Sequence, residues 1–124
     1  MKNFVMAVLL TLSGHSFAHE WLPTYPELKL SFIPGAYVTT MKLFNKRADV
    51  EWYEVKVFDK DFNPIPFASP DRLVKVGYTK SKEIDVYIRD VDKENAVYIC
   101  TNSKLIENKV SVTIVNSRIC SKIK

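Results

Sequence analysis

The sequence predicts an all-β protein, a single-domain antiparallel β-sandwich of seven strands. From Tyr37 onward, apolar residues recur at every second position, which is the period of a half-buried strand and not of a helix. Clusters of Pro, Gly, Asn, Asp and Ser separate these alternating segments at short intervals, and such clusters form turns. Short strands that are rich in β-branched and aromatic residues and regularly spaced are typical of a sandwich.

The chain begins with the three parts of a secretory signal peptide. Lys2 supplies the positive charge, residues 4–12 the short apolar stretch, and Ser16-Phe17-Ala18 a small-x-small cleavage site. The apolar stretch is too short to cross a bilayer, and no later stretch approaches the length of a membrane span. We therefore assign residues 1–18 to a signal peptide, cleaved near Ala18, and expect a secreted or periplasmic protein.

Residues 19–27 precede the first strand candidate and are expected to form an extended N-terminal arm. The arm contains two aromatic residues, Trp21 and Tyr25, close to two prolines. Such a low-entropy aromatic segment suits docking on a groove of another protein. The alternative is that Trp21, Leu22 and Tyr25 fold back and cap the sandwich. His19, at the start of the arm, is expected to be solvated.

The sandwich itself is assigned to residues 28–124. Its strand candidates are residues 28–32, 38–44, 51–58, 73–76, 84–88, 96–101 and 110–115. Two spacings favour an immunoglobulin-like arrangement. Trp52 lies on the third candidate, and Tyr98 lies two residues before Cys100, as in the tyrosine corner of that fold.

The two cysteines of the chain, Cys100 and Cys120, both follow the signal peptide. An even number of cysteines in an exported protein favours a disulfide over two buried thiols. Cys100 falls on the sixth candidate strand and Cys120 near the end of the seventh. A bridge between them would therefore join neighbouring strands, whose facing residues come close enough for disulfide geometry.

Composition and spacing exclude several kinds of chemistry. The net charge of +4 reflects a mixed surface of 18 basic and 14 acidic residues, which is not the footprint of a nucleic-acid-binding protein. His19 is the one histidine after the signal peptide, so Ser-His-Asp and Cys-His catalysis are excluded in their usual forms. Residues 59–63 begin like a calcium loop, but Pro64 and Pro70 stand where glycine and glutamate are needed. We expect no catalytic residue, no metal and no cofactor.

Several short segments also match the pattern of a known family. They are Leu-Phe-Asn-Lys at 43–46, Val-Glu-Trp at 50–52, Val-Lys-Val-Phe-Asp at 55–59, Ser-Pro-Asp-Arg-Leu-Val-Lys-Val at 69–76 and Lys-Glu-Ile-Asp-Val-Tyr-Ile-Arg at 82–89. In them the chain resembles the N-terminal immunoglobulin-like domain of periplasmic pilus chaperones and related small exported proteins. In that family a strand that ends in asparagine, here Asn45, begins the turn to the next strand.

The resemblance implies a mode of binding. Such chaperones lend their last strand to an incomplete sheet of a client, and a basic pair holds the client's C-terminal carboxylate. Arg118 stands where the last strand's basic residue is expected, and Lys29 is the first-strand candidate. Both suit a carboxylate, Arg118 through two parallel hydrogen bonds. The alternative is that each is a solvated surface cation.

The expected function is therefore that of an exported, non-catalytic protein-binding module. It would engage an envelope or surface-assembly protein by strand addition or by docking of the N-terminal arm, with Arg118, Lys29, Trp21 and Tyr25 as binding residues. The alternative is a structural or decorating component of an extracellular or virion-like assembly. In that case homo-oligomers would form through the same edges.

Overall fold

The computed structural model describes residues 19–104 and 117–124, which form an immunoglobulin-like β-sandwich. The signal peptide and the strand predicted for residues 110–115 lie outside the described residues. The strands are β1 (Glu20–Leu22), β2 (Lys29–Leu30), β3 (Ala36–Phe44), β4 (Trp52–Phe58), β5 (Leu73–Lys75), β6 (Ser81–Arg89), β7 (Tyr98–Lys104) and β8 (Arg118–Lys122). The one helical turn in these ranges, Asp90–Asp92, is a 3₁₀ turn between β6 and β7. It is far too short to cross a membrane.

The strands form two antiparallel sheets. In the first sheet, β3 pairs with β6 along one side and with both β1 and β2 along the other. The second sheet has the order β5-β4-β7-β8. The predicted all-β, immunoglobulin-like sandwich is thus confirmed. The eight described strands are six of the seven predicted ones together with β1 and β8.

The core is formed by the apolar residues that the sequence predicts at alternate positions of the strands. Met41 and Leu43 of β3 point inward, as do the valines of β4 and β6, while the residues between them face solvent or the outer surface. The inward residues of both sheets form one buried cluster. Its members are Trp21, Met41, Leu43, Val50, Tyr53, Val55, Val57, Val74, Val76, Ile84, Val86, Ile88, Ala96 and Ile99.

The N-terminal segment follows the alternative in which it folds back onto the sandwich. Glu20–Leu22 forms β1 and pairs with the end of β3, Trp21 standing opposite Leu43. The chain then leaves the first sheet at Pro23, and the carbonyls of Thr24 and Pro26 accept hydrogen bonds from the Lys122 and Lys124 amides. Residues 19–27 are therefore part of the sandwich, because this stretch supplies main-chain partners to both sheets.

The predicted disulfide is confirmed. Cys100 and Cys120 are register partners on β7 and β8, with an S–S distance of 2.04 Å and a Cα–Cα distance of 4.0 Å. Both cysteines share the outer face of the second sheet with Tyr98. The ring of Tyr98 stacks on Phe62 at 4.6 Å. Within the described part of the chain, its hydroxyl does not form the backbone hydrogen bond that the tyrosine corner predicts.

Candidate protein-binding edge

Within the described residues, the outer edge of β8 presents main-chain groups that have no main-chain partner. Ser117 and Ile123 hydrogen-bond toward β7, and alternate residues of an antiparallel strand point to opposite sides. The amides and carbonyls of Arg118, Cys120, Lys122 and Lys124 therefore point away from β7. Two strand positions, Arg118 and Cys120, have no main-chain partner on that side among the described residues. An edge of this kind is a template for another extended chain.

The other half of the same edge is already covered. Lys122 N donates to Thr24 O at 3.0 Å, and Lys124 N donates to Pro26 O at 2.9 Å. Residues 24–26 thus run parallel to the end of β8 as a short added strand. Tyr25 lies between the two accepting carbonyls, and 61% of its surface is exposed. Sequence reasoning missed this contact because a two-bond pairing between distant segments has no local signature.

Arg118 begins β8 on the outer face of the second sheet. Its Nε donates to Asn102 Oδ1 at 3.1 Å, and its guanidinium carbon lies 5.0 Å from the centre of the Phe58 ring. The side chain remains exposed. These contacts orient the guanidinium while leaving donors for an acceptor outside the protein, since a guanidinium has five N–H groups.

Lys29 lies far from Arg118. Lys29 sits on β2 opposite Val38. The start of β8 lies near the other end of β3, because His19 contacts Ser117 and the next residue, Glu20, sits opposite Phe44. At about 3.3 Å per residue, these two positions on β3 are about 20 Å apart. The two cations do not meet, so the structure does not form the basic pair that the family resemblance implies.

Trp21 does not offer its ring to a partner. The side chain is 3% exposed, and its Nε1–H donates to the Ile99 carbonyl of β7 at 3.0 Å. The expectation that Trp21 is a binding residue is therefore replaced by the alternative that it closes the sandwich. The indole is placed there because β1 pairs with β3 in a register that turns Trp21 inward.

His19 is buried rather than solvated, being 2% exposed. Its Nε2 lies 2.7 Å from Thr101 Oγ1 and its Nδ1 lies 3.1 Å from Ser117 Oγ. Its ring packs on Tyr53 at 4.6 Å. Burial and the nearby Arg47 charge lower the pKa of His19 to about 4, although a hydrogen bond with Thr101 opposes this shift. The imidazole is therefore neutral at pH 7 and ties β1 to β7 and the start of β8.

A buried polar network supports the same end of the sandwich. Asn45 donates from Nδ2 to the carbonyls of Val50 and Val76, and its Oδ1 accepts from Tyr53 Oη and the Arg47 amide. Burial raises the pKa of Tyr53 to about 12, so its hydroxyl stays a donor. The asparagine that the family pattern places at this turn thus links three chain segments.

Arg47 completes this network at its solvent side. Its guanidinium bonds Asp49 through Nε at 2.9 Å and Nη2 at 2.6 Å. The hydrogen bond from Arg47 lowers the pKa of the Asp49 carboxyl. Every buried side-chain nitrogen and oxygen in the described residues has a hydrogen-bond partner.

The acidic loop after β4 binds its own backbone. Asp59 Oδ1 accepts hydrogen bonds from the amides of Asp61 and Asn63, both at 2.8 Å. These bonds lower the pKa of Asp59, first of all the one from Asn63. The carboxylate therefore shapes the turn. Among residues 19–104 and 117–124 there is no group of three or more potential metal ligands.

Comparison with known proteins finds solved structures to which this chain is similar. No protein-family model matches the chain, and no curated protein matches it either. The crystal structure of the Escherichia coli chaperone DraB is similar, with a TM-score of 0.61 and 18% sequence identity over 86% of this chain and 54% of that chain. The chain thus spans about half the length of that chaperone. A FixG-related protein from Vibrio parahaemolyticus aligns with a TM-score of 0.42 at 18% identity, covering 84% of this chain and 94% of that one.

The likeness to DraB is a likeness of fold. It confirms, at that level, the resemblance to chaperone immunoglobulin-like domains that the sequence segments indicate. At this identity it assigns no residue a role. The chemistry of the β8 edge must be argued from its own geometry.

Proposed function

We propose that the chain is an exported, non-catalytic protein-binding module that takes up an extended segment of an envelope or surface-assembly protein at the outer edge of β8. In this mode the main chain supplies affinity through the outward amides and carbonyls of Arg118 and Cys120, which have no main-chain partner among residues 19–104 and 117–124. Side chains along the edge supply specificity. The similarity to the chaperone DraB and the disulfide are both in keeping with an exported binding protein.

The observation that supports this proposal most directly is the added strand at residues 24–26. Two hydrogen bonds already join this segment to Lys122 and Lys124 in strand-like fashion. One step earlier, at Arg118 and Cys120, the part of the chain that the structure describes supplies no main-chain partner, because residues 20–22 pair instead with β3. A partner segment would continue the line of residues 24–26 along Arg118 and Cys120, on the side where β1 approaches β8.

The charge of the edge suggests the chemistry of the partner. Arg118, Lys122 and Lys124 alternate along it, and all three are exposed. An acidic segment or a terminal carboxylate would therefore be favoured over a basic one. Of the residues expected to bind, Arg118 and Tyr25 lie on this edge. Lys29 and Trp21 do not, so we leave them out of the proposed site.

The test separates main-chain pairing from side-chain contact. Arg118→Pro removes an amide that points away from β7, and proline is tolerated at the first residue of an edge strand. Arg118→Ala removes only the guanidinium. The exported protein and both variants would be used for affinity capture from the native envelope and medium, followed by sizing and mass spectrometry. Circular dichroism would check that each variant is folded.

We expect one dominant, stoichiometric partner with the wild type. Arg118→Pro should lose at least about 90% of it, and Arg118→Ala should weaken capture by about 3- to 30-fold. Equal recovery with Arg118→Pro would contradict strand addition at this edge. Recovery of the wild type in large homo-oligomeric particles would favour the alternative, a component of an assembly.

A further inference from the structure

Residues 23–26 form a short strap that lies along the end of β8. The amides of Lys122 and Lys124 donate to the carbonyls of Thr24 and Pro26, at 3.0 Å and 2.9 Å. In a parallel pair of this kind, the Lys122 carbonyl would next accept a hydrogen bond from the amide of residue 26. Residue 26 is proline, which has no N–H group. Within residues 19–104 and 117–124, the strap therefore accepts two hydrogen bonds from β8 and donates none to it.

The strap is fixed at its two ends and weakly held between them. Before it, Trp21 is buried in the core, and at its other end Pro26 is buried and Leu28 packs against the core. Thr24 and Tyr25 are exposed, and within the described residues their side chains form no hydrogen bond, ion pair or ring contact. A segment with so few contacts opens at a low free-energy cost.

The edge of β8 continues beyond the strap. Arg118 and Cys120 point their amides and carbonyls to the same side as Lys122, and none of these groups has a main-chain partner among the described residues. The Lys122 carbonyl also lacks a main-chain donor in the ranges that the structure describes. An extended segment of another protein would bond all of these groups as well as the amides that the strap now holds. Since each such hydrogen bond is a small net gain, the longer pairing is favoured over the two bonds of the strap.

We propose that the strap is an internal strand that the partner segment displaces, so that pairing begins at Arg118 and Cys120 and extends along β8 to Lys124. This inference rests on the proposed function, because the edge and the partner are the same, and it adds how the edge is regulated. In the free protein the strap covers the end of β8 against unrelated strands. In the complex the partner supplies the N–H group that Pro26 lacks, so its residue opposite the Lys122 carbonyl is not a proline.

The first test tightens the strap. Pro26→Val gives the strap the missing N–H group on a buried side chain of similar size. The tightened strap should compete better with the partner. We expect hydrogen exchange of the Lys122 and Lys124 amides to slow by about 3- to 10-fold, which is the effect of one hydrogen bond. The dissociation constant for the protein recovered by affinity capture should rise by about the same factor.

Pro70→Val is the matched control. It makes the same change at an exposed proline in the loop before β5, which lies at the opposite end of the second sheet from β8. This variant should bind the captured protein as the wild type does and should leave the exchange of the Lys122 and Lys124 amides unchanged. Circular dichroism would check that both variants are folded.

A spin label on the strap follows its displacement without a tightened variant. With the label attached through Thr24→Cys, electron paramagnetic resonance should show an ordered strap in the free protein. The label should become more mobile when the captured protein is added. A label attached through Lys42→Cys, at an exposed position of β3, should not change. This measurement holds even where Pro26→Val does not fold.

Two results would overturn the inference. Equal affinity of Pro26→Val and the wild type for the captured protein, despite slower exchange at Lys122, would show that the strap does not compete. A label at position 24 that stays ordered in the complex would show that the strap remains on β8. Arg118→Pro separates these failures from a failure of the proposed function. If this variant loses the partner, strand addition at β8 stands and only displacement is wrong, whereas normal binding by this variant removes the edge itself as the site.

Discussion

Single residues show how this sandwich places polar groups inside a core. His19, Asn45 and Thr101 are each at most 2% exposed, yet every one has a hydrogen-bond partner. An unpaired polar group in that position would cost about 1–3 kcal/mol. The sequence pattern correctly singled out Asn45 as the start of a turn. It predicted a solvated His19, because the tertiary partners Thr101 and Ser117 are 82 and 98 residues away.

The buried imidazole makes stability depend on pH. The pKa of His19 falls from 6.5 to about 4 on folding, mainly through desolvation, so between these values the unfolded chain binds a proton that the folded chain does not. Stability is therefore complete above pH 6.5 and is lost as the pH falls toward 4. We expect a loss on the order of 2 kcal/mol.

Urea unfolding at fixed pH values from 7 to 4 measures this loss. His19→Asn should be less stable than the wild type at pH 7 but should show a flatter profile, since no imidazole titrates. Asp49, which pairs with Arg47, also has a lowered pKa, and its contribution is lost at still lower pH. Parallel pH profiles for the two proteins would show that His19 does not titrate in this range.

The β7–β8 pair is the element on which the proposed site depends. Phe58 and Tyr98 are register partners, and the disulfide lies between Tyr98 and Asn102 on the same outer face. The cysteine count predicted the bridge because an even number of cysteines in an exported chain favours a disulfide over two buried thiols. The face of the second sheet that carries the disulfide could be read only from the strand register, in which Cys100 stands opposite Cys120.

Removal of the disulfide should destabilise the protein. The bridge closes a loop with a sequence separation of 20 residues. On the chain-entropy estimate, Cys100→Ala with Cys120→Ala costs about 3 kcal/mol of unfolding free energy. Urea midpoints of the double variant and of the reduced wild type should agree. A double variant as stable as the oxidised wild type would show that register alone holds β8 in place.

The two sheets of the whole molecule are held together partly by Trp21, which reaches from β1 in the first sheet to Ile99 in the second. The alternating valines and isoleucines build each sheet's inner face, and the indole closes the side where β1 and β8 approach. This contact joins residues that are 78 positions apart.

Replacing Trp21 tests this closure. Trp21→Ala should cost about 3–5 kcal/mol, because it removes a buried aromatic side chain and leaves the Ile99 carbonyl without the indole donor. Tyr25→Ala is the matched control and should change stability by less than about 0.5 kcal/mol, since Tyr25 is exposed. Thermal or urea unfolding distinguishes the two. Similar small effects would return Trp21 to the list of candidate partner contacts.

The sequence by itself determined the all-β class, the inward sets on β3, β4 and β6, and the pairing of Cys100 with Cys120. These follow from alternation, turn residues and a cysteine count, which are local or compositional signals. It also named Arg118 as the basic residue of the last strand, although it placed that strand before Arg118 and the structure begins β8 there.

The tertiary structure alone decided which edges are open and which residues meet. The crossing of residues 24–26 to β8, the burial of His19 and Trp21, and the separation of Lys29 from Arg118 all depend on strand order and register. These are long-range choices, set by which pairing buries the most apolar surface and leaves the fewest polar groups unpaired. No pattern within a single strand records them.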